Sequence, residues 1–150
     1  MGEGMSVTLR KITEADADLL VRWRNENAEF FPPQPPLTAE SHLKWYRETY
    51  LPDPRDSMFM VIHDGRPVGT VAMTIRAGTG ELERMILGDK SLARRGIMRD
   101  AFSQLMDAYG LHRYWLRIYP WNTATIAFHE RNGFEKTGVH GDYLIMERWQ

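Results

Sequence analysis

The run Phe31-Pro32-Pro33-Gln34-Pro35-Pro36 places four prolines in five residues, which no helix and no interior strand tolerates. Each ring fixes φ and removes a backbone donor, so the segment is an extended connector that divides the N-terminal region into two short helices. The first starts at Thr13, with Asp16 three residues on, and buries Leu19, Leu20 and Trp23; the second opens at Leu37-Thr38 and carries Leu43, Trp45, Tyr46 and Tyr50. Ser6 to Arg10 reads as a strand ahead of them. Downstream the period shortens to two: Met58 to His63 and Val68 to Ile75 flank the hairpin signal Asp64-Gly65, and Glu81 to Leu87 follows as a third strand of the meander. Ile97, Met98, Ala101, Phe102, Leu105, Met106 and Tyr109 recur at helical spacing before Gly110. A strand at Tyr114 to Tyr119, a helix at Thr123 to Asn132 ended by Gly133, and strands at Phe134 to Thr137 and Tyr143 to Glu147 complete the chain. The order β-α-α-β-β-β-α-β-α-β-β predicts one α/β domain over residues 1–150, with a mixed, mostly antiparallel sheet of about seven strands.

Composition removes several function classes. The net charge of -1, from 19 basic and 20 acidic residues, lacks the basic excess of a nucleic-acid or membrane-surface binder, so the expected partner is small. With no cysteine, disulfides, thiolate metal sites and a covalent cysteine intermediate are excluded. Histidines 42, 63, 112, 129 and 140 include no pair three or four apart, so no helical two-histidine metal site is expected. No apolar run reaches membrane-span length and no signal-peptide pattern opens the chain, which makes the cytoplasm the expected compartment.

Ala93-Arg94-Arg95-Gly96-Ile97-Met98-Arg99-Asp100 is a basic, glycine-bearing turn running straight into a helix. A helix N-terminus presents unpaired N–H groups and a partial positive charge, so such a turn can wrap a phosphate. Arg94, Arg95 and Arg99 add screened charge attraction.

This element order, the Gly96-Ile97-Met98 turn and the segment Asn122 to Phe134 (Asn-Thr-Ala-Thr-Ile-Ala-Phe-His-Glu-Arg-Asn-Gly-Phe) resemble the GCN5-related N-acetyltransferase superfamily over nearly the whole chain. Within it, Gly96-Ile97-Met98 with Asp100-Ala101 is similar to the RimJ/RimL-like branch. Ala93 and Met98 depart from the wider motif without removing a backbone N–H. The resemblance implies acetyl-CoA as donor, pyrophosphate on Gly96, Ile97 and Met98, and a split between strands 4 and 5 that takes the pantetheine arm. It places Asn122, Phe128 and Arg131 beside the cofactor. Ile86, Leu87 and Gly88 would offer main-chain groups to the arm, with a bulge at Gly88 freeing an N–H for the thioester oxygen. Tyr119-Pro120 would open the groove, since proline cannot donate to a ladder; both positions also suit ordinary strand ends.

His129 stands where the family usually has a tyrosine that protonates the departing thiolate. An imidazole of ordinary pKa, about 6.5, suits that role, and a thiol pKa of about 8.5 also lets solvent serve. Glu83 matches the family's strand carboxylate and is the expected base, with Glu81 or water as alternatives; alternation puts Glu81, Glu83 and Met85 on one face. Trp23-Arg24-Asn25 and the His42-x-x-Trp45 spacing look like the branch that acetylates nucleotide-linked amino sugars. In that reading the two N-terminal helices wall the acceptor site, aromatics stack on a ring and Arg24 meets a phosphate. Trp23 and Trp45 also suit core positions. A peptide N-terminus, an aminoglycoside-like amine, a homodimer, and a non-enzymatic coenzyme A sensor all remain open at this point.

Overall fold

In the computed structural model, residues 7–150 are described. Ser6, expected to begin the first strand, lies outside them. The strands are β1 Val7–Lys11, β2 Asp56–His63, β3 Arg66–Arg76, β4 Thr79–Leu87, β5 Arg113–Ile118, β6 Glu135–His140 and β7 Tyr143–Trp149. The helices are α1 Ala17–Glu26, α2 Ala39–Trp45, α3 Ile97–Tyr109 and α4 Thr123–Arg131, with α2 passing directly into a π-helical turn at Tyr46–Tyr50. The proline connector separates α1 from α2 as its composition requires. Thr38 caps α2 by accepting from the Ser41 N–H at 3.0 Å. Among the described residues no helix is long and apolar enough to cross a membrane.

The seven strands form one sheet in the order β1-β2-β3-β4-β5-β7-β6, antiparallel except where β4 meets β5. Those two run parallel and pair only at Gly80 with Tyr114 and Glu81 with Trp115. Gly80 permits this approach, because a Cβ there would stand 2.8 Å from Met73 Sδ and 2.9 Å from the Tyr114 ring. Beyond it the strands diverge into an open fork. The divergence follows Trp115, well before Tyr119-Pro120, and Pro120 lies past the last residue of β5. The expectation that Pro120 opens the groove is therefore corrected: the strands part earlier, and a charged pair bridges the fork, with Glu81 on one prong accepting from Arg117 on the other at 2.8 Å.

Two apolar clusters pack on opposite faces of the sheet. One joins α1 and the turn after α2 to the strands through Leu20, Trp23, Tyr46, Met58, Met60, Ala72 and Ile86. The other joins α3 and α4 through Ile97, Leu105, Met106, Ile126, Val71 and Leu82. Each such side chain fully removed from water stabilises the fold by about 1.5–3 kcal/mol.

The bulge lies elsewhere on β4 than expected. The β3–β4 register runs Thr70 with Ile86 and then Ala72 with Glu83, so Val71 faces both Arg84 and Met85. Arg84 takes a left-handed backbone at φ 50°, and its carbonyl accepts from the Thr70 hydroxyl at 2.7 Å. An extra residue inverts the alternation. Glu83, paired with Ala72, stays on the α1/α2 face, whereas Met85 and Leu87 pack with the α3 cluster, so Glu81 and Glu83 share a face but Met85 does not join them.

Candidate active site

The fork opens into a cavity of about 690 Å³, bounded by β4, β5, α1, the proline connector and α4. Glu83, Ile86, Leu87, Asn122 and His129 line it, as do Trp23, Arg24, His42 and Trp45.

Outside this lining, at the start of α3, Gly96 takes a left-handed conformation at φ 79° with no side-chain cap. The Asp100 N–H donates to the Gly96 carbonyl at 3.0 Å, so the N–H groups of Ile97, Met98 and Arg99 precede the helical ladder. Ile97 and Met98 bury their side chains in the core and hold those donors still, while Arg94, Arg95 and Arg99 are exposed. None of these six residues lines the cavity. Gly96 stands about 9 Å along the α3 axis from Phe102, which does. Phe128 packs on Phe102 at 6.2 Å between ring centroids, and Arg131 is exposed at the end of α4, outside the cavity lining.

Gly88 has a different task from the one its type suggested. Its N–H donates to the Val68 carbonyl at 2.7 Å and is thus committed. A Cβ at Gly88 would run into the Trp23 indole, which is buried at 2% exposure. The Trp23–Gly88 contact anchors α1 on β4, and the irregularity of β4 lies at Arg84–Met85 instead.

Glu83 is half-buried. Its Oε1 accepts from the Thr74 hydroxyl at 2.9 Å, with Arg84 Nη1 at 3.5 Å and Arg76 Nη2 at 3.9 Å from its oxygens. Burial pushes its pKa up from the ordinary carboxylate value against the pull of Arg84, and Glu81 and Asp56 push the same way as burial. That is how a carboxylate becomes a better proton acceptor. Glu81 differs: it is 1% exposed, and its two oxygens accept from Arg76 Nε at 2.7 Å and Arg117 Nε at 2.8 Å. Doubly paired, it braces the fork, and each of its oxygens is already held by an arginine.

His129 is buried among Phe102, Phe128 and Phe134, all edge-on at 5.2 to 5.8 Å between centroids. Burial lowers its pKa to about 4, which corrects the ordinary value assumed from its type. At neutral pH it is a neutral ring carrying one N–H. His42 is likewise buried with a lowered pKa, packs on Trp45 at 5.6 Å, and leaves Nε2 without a partner.

On α1, Asn25 turns from the cavity. Its amide donates to the Leu37 carbonyl at 2.9 Å and accepts from the Leu37 N–H at 2.8 Å, clamping the proline connector. Arg24 lines the cavity with its guanidinium 3.9 Å over the Phe31 ring.

Several site residues escaped the sequence reading. Arg84 pairs with Asp56 and lies 5.5 Å over Trp45. Phe30, Trp121, Tyr119 and Tyr143 form a continuous aromatic stack at 5.0 to 5.7 Å, joining the connector to the β5–α4 loop and β7. Of these, the sequence singles out Tyr119 alone, for its place before Pro120.

A mixed sheet that splits after Glu81, an uncapped helix start at Gly96 and a half-buried carboxylate in the fork are the features of this region. The acetyltransferase (GNAT) domain model matches residues 6–135, and the chain belongs to that family, whose donor is acetyl-CoA. No curated protein matches the chain. Among solved structures, a domain from Methanocaldococcus jannaschii is similar at 24% identity and TM-score 0.83, covering 98% of this chain and 100% of its own. An aminoglycoside acetyltransferase bound to coenzyme A is similar at 20% identity and TM-score 0.83, covering 97% and 95%. A spermidine N-acetyltransferase from Vibrio cholerae, in complex with coenzyme A and spermine, is similar at 18% identity and TM-score 0.82, covering 96% and 95%.

Proposed function

We propose that this N-acetyltransferase domain acetylates a small primary amine by direct transfer, with Glu83 as base. The observation that carries the reading is Glu83 itself: a carboxylate of raised pKa lining the cavity of the fork, one residue before the Arg84–Met85 bulge. Bound coenzyme A supplies the activated acetyl group as a thioester. The Ile97, Met98 and Arg99 N–H groups would hold its pyrophosphate, the β4 backbone past the bulge would offer main-chain groups to its arm, and the Met85 N–H would supply a hydrogen bond to the thioester oxygen. Glu83 takes the proton from the amine nitrogen as the C–N bond forms, and the electron pair of the breaking C–S bond leaves on sulfur. His129, neutral at working pH, donates a hydrogen bond to that thiolate, and solvent supplies its proton.

Among acceptors, an amino sugar linked to a nucleotide fits the aromatic lining and Arg24. The RimJ/RimL-like turn also suits a peptide N-terminus, and the amines in the similar solved complexes keep aminoglycosides and polyamines in the test set. Thiol release from acetyl-CoA, measured across all four classes, is the experiment. Turnover on one class with saturation in both substrates supports the reading. Acetyl-CoA binding without turnover on any amine contradicts it and favours a coenzyme A sensor.

A further inference from the structure

The charges around the fork do not sum evenly over the cavity, and the imbalance bears on the acceptor. Three carboxylates, Asp56, Glu81 and Glu83, meet three guanidiniums, Arg76, Arg84 and Arg117, in one connected network. That network is internally neutral. Arg24 stands outside it: half-buried, flat on Phe31, and subject to burial alone, with no carboxylate acting on it among the described residues. The second cation outside the network is Lys90, exposed and donating to the neutral Asn27 Oδ1 at 2.8 Å. A desolvated guanidinium without a partner is costly, and an oxyanion offsets that cost through paired N–H donors. With Phe31 covering one face, the edges of the fork-shaped guanidinium remain open to the cavity.

The place of Arg24 separates this charge from the phosphate seat. Phe31 and Trp45 pack on the α1/α2 cluster, and Trp45 in turn lies beneath Arg84, the neighbour of Glu83. The Gly96 turn feeds Ile97 and Met98 into the cluster on the opposite face. We propose that the acceptor is a primary amine that also carries an oxyanion, a carboxylate or a phosphate, that Arg24 binds this group, and that the site rejects polycationic amines. The inference rests on the transferase reading and narrows it. The amine meets Glu83 while the anion, across a spacer spanning the Phe31–Trp45 wall, meets Arg24. Among the described residues the acidic lining is Glu81 and Glu83, both in the network, so a polyamine meets Arg24 and Lys90 beyond them.

The test uses matched amines: glucosamine with glucosamine 6-phosphate, phenylalaninamide with phenylalanine, and a linear polyamine. Binding to the acetyl-CoA-loaded protein is followed by calorimetry, and turnover by thiol release. The anionic member of a pair should bind about tenfold more tightly than its neutral partner, as a charge-assisted contact implies. Arg24→Met should erase that gap in acceptor KM while leaving kcat and the acetyl-CoA KM within about twofold. Arg24→Lys should restore part of it. The phosphate and carboxylate pairs report which oxyanion is meant. Equal binding within every pair, no binding by any member, preference for the polyamine, or a rise in the acetyl-CoA KM in Arg24→Met overturns the proposal. Arg24-dependent binding of an anionic amine without turnover would retire the transferase reading and keep this one. Turnover without anion dependence would do the reverse.

Discussion

The α3 turn and the cavity are built on different principles. The α3 turn, outside the cavity lining, is a backbone device, in which one left-handed glycine and two core-anchored residues leave the first helical N–H groups with no side-chain cap. The α1/α2 side of the cavity is a side-chain device, in which a neutral carboxylate–guanidinium network, an aromatic wall and an arginine with no carboxylate partner among the described residues come from separate elements. Backbone donors serve any ligand with the right phosphate. Side chains discriminate, so the donor end should tolerate surface substitution and the acceptor end should not.

Breaking the acceptor end should give the largest effect. Glu83→Gln removes the base without changing shape, and kcat at neutral pH should fall by about 10²-fold or more. The deficit should shrink as pH approaches the amine's own pKa, about 10 for an alkyl amine, because more acceptor then arrives unprotonated. A loss that stays constant with pH would assign Glu83 a purely structural part.

Breaking the donor end comes next. Gly96→Val forces a branched side chain into φ 79° and crowds the phosphate, so acetyl-CoA affinity by calorimetry should drop about tenfold to a hundredfold. Arg94→Ala and Arg95→Ala, by contrast, alter exposed charge and should each cost less than about 1 kcal/mol. Equal effects of glycine and arginine changes would dissolve the contrast between the two regions.

His129 lines the cavity and should give the smallest kinetic effect. Because solvent can meet the thiolate, His129→Phe should change kcat by less than about fivefold. Its signature is in stability. The folded pKa of about 4 lies below the unfolded value of about 6.5, so the unfolded chain binds the extra proton. Stability from neutral His129 is full above pH about 6.5 and falls as pH drops towards 4, by about 1.4 kcal/mol per unit. His42, shifted the same way by burial, adds to that slope. Urea titrations across this window should show a shallower acid dependence in His129→Phe, and an unchanged slope would contradict the burial argument.

The same division decides what could be read from the chain. The proline connector, the hairpin at Asp64-Gly65 and the Gly96 turn are set by local backbone chemistry, and each stands where its residues put it. The bulge carried no such mark: an arginine, not a glycine, takes the left-handed conformation at residue 84, held there by Thr70, 14 positions away. Gly88 misled for the opposite reason, since the need for a residue without a side chain comes from Trp23 in another element. Glu81 and Glu83, two positions apart and identical in type, diverge because Arg117, 36 residues downstream, claims one of them. Long-range pairing of charges is invisible to spacing.

A crystal structure of the protein with coenzyme A tests the central claim most directly. The account predicts pyrophosphate oxygens within hydrogen-bond distance of the Ile97, Met98 and Arg99 N–H groups, with the thiol in the fork between the Arg84–Met85 bulge and His129. Pyrophosphate seated on Arg24, or an arm lying outside the β4–β5 fork, would contradict it.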